Sequence, residues 1–173
     1  TIAFMLITSI YFAMLSFSTS VANEVIYEKS TRQLELILTS VESDHQDYFP
    51  TYEDIRDAFV DYICKLPENG DLIYCADDKG AVETVEIASK KRPDIHLIPY
   101  GTTATGEFKI TLGGVKNDCQ EFDVALFGKM YLSVPGVHEV LDGTGAVALV
   151  CQLLRDARKN PLEWGNLTDG KHP

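Results

Sequence analysis

Six consecutive residues, Glu42-Ser43-Asp44-His45-Gln46-Asp47, set three carboxylates around one imidazole. An aliphatic run, LELIL, and two hydroxyl residues, Thr39 and Ser40, lead into them, and Tyr48-Phe49-Pro50 closes the stretch. Such a set suits a hard cation. Mg2+ takes oxygen ligands, keeps several waters, and needs only one or two protein groups beside substrate phosphates. Asp44, Asp47 or Glu42 can supply oxygen, and His45 can ligate directly or orient a ligand. The same acids also suit the positive end of a helix beginning near Thr51. Spacing alone leaves both readings open.

A second candidate is VPGVHEVLDGTGAVAL, residues 134–149. The Pro-Gly turn places His138 and Glu139 in the first turn of a helix. Exposed amides there can meet an anion, and side chains there can reach the edge of a purine. Ordinary capping of a helix start explains the same residues. Other stretches carry less. YGTTATG, residues 100–106, is small and polar but lacks the Gly-Lys-Ser/Thr ending of a phosphate-binding loop. His96 lies in an apolar run and reads as a core histidine. Asp77-Asp78 reads as a turn.

These residues need elements to hold them. Residues 34–41 form a continuous aliphatic run, as in a parallel strand buried on both faces. Residues 51–66 carry apolar side chains at helical spacing. Thr51 is the expected N-cap, with Asp54 three residues on. Residues 71–76 read as a strand, 81–91 as a helix and 95–100 as a strand. Strand-helix alternation predicts a mostly parallel sheet covered by helices, an α/β fold. Residues 107–115, 121–129 and 130–134, with Gly113-Gly114 and Gly128 between them, predict a small antiparallel portion on the edge of that core. A last helix spans about 138–156. Its Gly143 and Gly145 each cost about 1 kcal/mol relative to alanine, and glycines so placed suit close approach of another group to the helix backbone.

The chain has 173 residues, 45% of them hydrophobic and 24% charged, with a formal net charge of -11. This is the composition of one globular domain. The negative charge argues against nucleic acid as a partner, because such affinity rests on Lys and Arg displacing counterions. The four cysteines form no C-x-x-C motif, and Cys64 and Cys151 read as buried reduced thiols. Residues 1–22 carry no charge and are long enough to span a bilayer or to resemble an export signal. They suit a buried element of a larger fold equally well. Membrane contact is therefore expected, if anywhere, only through this segment. The expected organisation is an apolar segment and linker at 1–33, a central domain at 34–157, and a polar tail at 158–173.

Three stretches together carry a resemblance to the Mur ligase family, and within it to the branch that joins L-alanine to UDP-N-acetylmuramate. LILTSVESDHQDYFPTYEDIRDAFVDYICKLPENGDLIYCADD resembles the central domain's strand, "TNIEADH-like" loop, helix and "LP-x-x-G" turn. LIPYG is similar to the next strand, and SVPGVHEVLDGTGAVAL to the family's "PG-x-H-N-x-x-N-A" helix. The resemblance covers about residues 36–154. It implies an amide ligase of peptidoglycan synthesis acting in the cytoplasm. ATP phosphorylates the carboxylate of UDP-N-acetylmuramate, and the amine of L-alanine attacks the acyl phosphate. It also implies Mg2+ as cofactor and ATP as co-substrate.

Residue by residue, the resemblance makes His45 the metal-binding histidine and Asp44 the acid beside it. His138 matches the histidine near the nucleotide. The family's two asparagines stand here as Glu139 and Asp142, acceptor-only groups in place of amides. Val137 stands where an arginine is frequent. Phe59 lies near the position of the carbamate-bearing lysine of related ligases, which fits the alanine-adding branch. A second metal-binding glutamate has only Glu24 and Glu28 as candidates. The family's Gly-x-x-Gly-Lys-Thr-Thr loop does not occur in the chain. The sequence is thus expected to be part of a ligase, inactive alone. The contrasting expectation is a non-catalytic α/β domain, anchored or exported through residues 1–22.

Overall fold

The computed structural model describes residues 35–42 and 49–162. The apolar segment 1–22, the linker that follows it, and residues 163–173 of the expected tail lie outside these residues. So do His45 and Asp44.

Nine elements follow in order: β1 (Leu36–Leu38), α1 (Tyr52–Ile63), β2 (Asp71–Cys75), α2 (Lys79–Lys91), β3 (His96–Tyr100), β4 (Ile110–Lys116), β5 (Cys119–Val124), β6 (Gly128–Leu132) and α3 (Val137–Asp156) among the described residues. The first three strands form a parallel sheet in the order β1-β2-β3. Leu36 pairs with Leu72, and Ile73 with Ile98.

The central strand explains the layering. Side chains alternate across a strand, so Leu72 enters one core and Ile73 the other, both wholly buried. The first core holds Leu38, Ile55, Ile63 and Val85, from β1, α1 and α2. The second holds Tyr100, Phe108, Ile110, Phe122, Val140 and Ala148, from β3, the antiparallel strands and α3. A sheet covered on both faces needs the continuous aliphatic strands that the sequence supplies. The expected α/β fold, with a mostly parallel sheet and a small antiparallel part, is the one observed.

Helix α1 starts where the capping box predicts. The Asp54 amide donates to Thr51 Oγ1 at 3.2 Å, and the Thr51 amide donates to Asp54 Oδ2 at 3.0 Å. Thr51→Ala should cost about 1 kcal/mol, read as a lower urea midpoint with unchanged slope. An unchanged midpoint would mean that tertiary packing alone fixes the start of α1. Past the other end of α1, Arg92 takes over the carbonyls that the helix leaves free. Its Nη1 donates to the carbonyls of Cys64 and Leu66 at 2.7 and 3.0 Å, and Asp94 holds the guanidinium from the other side. A cation at a helix C-terminus also complements the helix dipole.

The structure corrects several local expectations. The first strand is paired over three residues rather than eight, because the chain leaves the sheet at Thr39. His96 is exposed rather than in the core. It begins β3, an edge strand among the described residues, and its Nδ1 lies 3.1 Å from Asp71 Oδ1. Pro99, which cannot donate a ladder hydrogen bond, is tolerated in β3 for the same reason. Gly113-Gly114 lies inside β4 at a register shift and does not form the turn. The turn is Asn117-Asp118, at φ 50° and 60°. Two adjacent positive φ values are the signature of a type I′ hairpin, which asparagine and aspartate tolerate. All four cysteines are free; Cys75 and Cys151 are buried, and Cys64 and Cys119 partly so.

Candidate functional site

A cleft of about 380 Å³ opens where the three parallel strands end. Carboxyl ends of parallel strands are where ligands bind in open α/β sheets. Thr39, Ser40 and Glu42 line it from the segment after β1. Cys75, Asp77 and Asp78 come from the end of β2, and Tyr100 from the end of β3. His138, Leu141 and Asp142 close it from the first two turns of α3.

Each wall has a local cause. Asp78 is the N-cap of α2, and its Oδ1 accepts from the Ala81 amide at 2.6 Å. The same oxygen accepts from the Val41 amide at 3.1 Å, which ties the segment after β1 to the start of α2. Gly80 permits that approach, since a Cβ there would collide with the Val41 carbonyl oxygen. Asp77 organises the loop after β3. It accepts from the amides of Thr102 and Thr103, each at 2.7 Å, and the Thr103 hydroxyl lies 2.6 Å away. Gly145 lets α3 lie against Tyr100, whose ring carbon Cζ would sit 3.0 Å from an added Cβ. One of the two weak points in the last helix thus has the close neighbour its sequence implied. Gly143 has none within 4 Å.

The cleft is acidic. Glu42, Asp77, Asp78 and Asp142 line it, and no Lys or Arg does among the described residues. Burial works to raise the Asp77 pKa, but the Thr103 hydroxyl and the two amides outweigh it and hold the carboxyl below its ordinary value. Burial, with the nearby Cys75 and Asp142, keeps the Tyr100 phenol far above its ordinary range. Burial likewise raises the Cys75 thiol. Both groups are neutral near pH 7 and serve as wall rather than as charge.

The Asp77 shift has a stability consequence of defined sign. Its folded-state pKa is depressed, so its contribution is complete above the unfolded value of about 4 and disappears as pH falls through the folded value. The stability difference between the wild type and Asp77→Asn should therefore be constant from about pH 5 to 7 and shrink below about pH 4. Urea melts across pH check it. A difference that grows on acidification would contradict the hydrogen-bonding account.

Of the residues expected from sequence, His138 and Asp142 line the cleft on one face of α3. Glu139 is exposed and points elsewhere. Its carboxylate folds back over Gly136, at the helix start, where a negative charge is favourable. His45 and Asp44 lie outside the described residues, three and two positions beyond Glu42. Among the described residues no group of three His, Cys, Asp or Glu side chains is placed to hold a metal. Asp77 and Asp78 are engaged with backbone amides, which leaves Glu42 and Asp142 as the cleft carboxylates without a hydrogen bond to another described residue. Sequence reading missed Asp77, Asp78, Cys75 and Tyr100 as site residues. The available signal was positional: each stands at or just after the end of a strand that reads as parallel.

The sequence pattern of the Mur ligase middle domain matches residues 9–150. That match extends upstream of the stretches that carried the resemblance. The UDP-N-acetylmuramate–L-alanine ligase of Treponema pallidum (strain Nichols) is 44% identical over 122 residues, covering 70% of this chain and 25% of the relative. That of Paenarthrobacter aurescens (strain TC1) is 33% identical over 125 residues, covering 70% and 26%. The chain thus spans about a quarter of the length of these curated relatives. Among solved structures, a mutant form of L. casei FPGS aligns with TM-score 0.56 at 11% identity, covering 80% of this chain and 34% of that one. The MurF ligase from Thermotoga maritima in complex with ADP aligns with TM-score 0.50 at 15% identity, covering 73% and 28%. These two likenesses concern the fold.

Proposed function

Because the chain belongs to the Mur ligase family, we propose that it forms part of an ATP-dependent ligase that joins L-alanine to UDP-N-acetylmuramate in the cytoplasm, for peptidoglycan synthesis. The observation that carries this reading is the cleft itself. It lies at the carboxyl ends of three parallel strands and faces the start of α3, where backbone amides have no side-chain cap. A nucleotide lying there would set its base and ribose against His138, Leu141 and Asp142. By the family resemblance, His45 and Asp44 would hold Mg2+, which would supply charge neutralisation at the phosphates.

The chain's own residues have positioning tasks. Asp78 fixes the segment that leads to His45 by holding the Val41 amide. Asp77 fixes the loop after β3, and Tyr100 sets the floor against α3. Ligases of this kind work largely by alignment and charge neutralisation, so small displacements of these walls reduce rate steeply. The acyl phosphate, the sugar nucleotide and the amine require surfaces beyond these residues.

The test is a chimera in which residues 35–156 replace the matching stretch of the Treponema pallidum ligase. Phosphate release should require ATP, UDP-N-acetylmuramate and L-alanine together. His45→Ala in that chimera should lower the rate by about 100-fold or more, as for loss of a metal contact. Full activity in that variant would sink the metal role of His45. A folded chimera without activity would overturn the assignment to this reaction.

A further inference from the structure

A second recess, of about 310 Å³, flanks β3, a volume at the small end of ligand pockets. Asp71 and His96, which begin β2 and β3, line it together with Gln152 and Arg155 from the last turns of α3. Leu97, Ile98 and Phe108 give it apolar walls. Gln152 is only 8% exposed. Its Oε1 accepts from Arg155 Nη1 at 3.5 Å, and its Nε2 donates to no described residue. Every fully enclosed side-chain nitrogen and oxygen among the described residues has a partner. The amide nitrogen of Gln152 is therefore not enclosed, and it faces the recess that the residue lines. A largely buried donor without an acceptor is costly, and a ligand oxygen opposite it removes that cost.

Free donors and free acceptors meet in this one space. The donors are Gln152 Nε2 and those guanidinium hydrogens of Arg155 that Glu107, at 2.7 Å from Nη2, does not take. Together they match a carboxylate. The acceptor is Asp71, whose Oδ1 lies 3.1 Å from His96 Nδ1 and whose Oδ2 has no described partner. The edge strand adds unpaired backbone groups, among which Pro99 offers a carbonyl and no N–H. These acceptors match an ammonium. Burial raises the Asp71 pKa, and His96 offsets it only in part. A phosphate, which has no positive group, meets Asp71 and Glu107 as like charges. We propose that this recess binds a free α-amino acid with an apolar side chain, as its zwitterion. The carboxylate meets Gln152 and Arg155, the ammonium meets Asp71, and the side chain lies against the apolar wall. The site does not depend on the nucleotide reading of the cleft at the strand ends.

The experiment is titration of the 173-residue chain with L-leucine, N-acetyl-L-leucine and L-leucinamide, read by NMR of the ligand. L-Leucine should bind saturably. N-Acetyl-L-leucine keeps the carboxylate without the ammonium, and L-leucinamide keeps the ammonium without the carboxylate. Each should bind about tenfold more weakly or worse, the effect of one lost charge-assisted hydrogen bond. Gln152→Met keeps the volume and removes the amide, and should weaken L-leucine by about tenfold. Asp71→Asn should weaken L-leucine by a similar factor and leave N-acetyl-L-leucine unmoved. No saturable binding of L-leucine to the wild type overturns the proposal. So does equal binding of the three ligands, or a Gln152→Met chain that binds L-leucine as the wild type does. The three-ligand comparison uses the wild type alone, so it decides even where a substituted chain fails to fold.

Discussion

Tyr100→Ala should destabilise the protein by about 3–5 kcal/mol, the range for deleting a large buried aromatic. Tyr100 has no exposed surface and heads the fully buried side chains by size. It ends β3, pairs opposite Cys75, and packs where Gly145 lets α3 come close. Removing the ring leaves a void between sheet and helix that the surrounding backbone cannot close, because both elements are pinned by other contacts. Tyr100→Phe separates packing from polarity. It removes only the hydroxyl next to Cys75, and should cost about 1 kcal/mol. Urea denaturation of both variants gives the comparison. Equal losses would mean that the hydroxyl, not the ring, holds this wall in place.

The second large effect falls at Asp78. Asp78→Ala removes the N-cap of α2, worth about 1 kcal/mol. It also strands the Val41 amide, which sits in the first core and whose residue is only 3% exposed. A buried donor left without a partner costs a further ~1–3 kcal/mol. The sum, about 2–4 kcal/mol, exceeds that of an ordinary cap deletion because one oxygen serves two amides. Asp78→Asn keeps an acceptor and should recover most of the loss. Hydrogen exchange at Val41 distinguishes the two contributions: its protection should fall in the alanine variant and persist in the asparagine one. Unchanged protection in Asp78→Ala would show that the segment after β1 is held by packing alone.

Much of the fold is legible along the chain because its causes are local. Thr51 and Asp54 are three residues apart, so their capping box can be read directly. The aliphatic strands LIL and LIYC announce burial on both faces. Glycine at 145 announces a close neighbour, though not which one. The misreadings have a common source. His96 follows an isoleucine and precedes a leucine, yet lies on an edge strand, and being an edge is a property of the assembled sheet. Gly113-Gly114 is a sound turn signal, but the hairpin's pairing put the turn at Asn117-Asp118. Asp77 does lie in a turn, but Asp78 caps α2, and nothing in these two consecutive residues tells that their carboxylates hold Thr103 and Val41 from either side.

The sequence by itself determined the family, the alternation of strands and helices, and the start of α1. Each rests on residues close together in the chain or on motifs long enough to be specific. Only the tertiary structure decided the cleft. Its walls come from the segment after β1, the end of β2, Tyr100 and the His138, Leu141 and Asp142 face of α3, which periodicity cannot relate to one another. They meet because parallel pairing in the order β1-β2-β3 puts three strand ends on one edge, and because Gly145 lets α3 settle against Tyr100. The same packing separates two acids that look alike in sequence. Asp142 stands one helical turn beyond His138 and shares its face of α3, so it lines the cleft with it. Glu139 is the next residue after His138, about 100° round the helix, and its carboxylate lies over Gly136 instead.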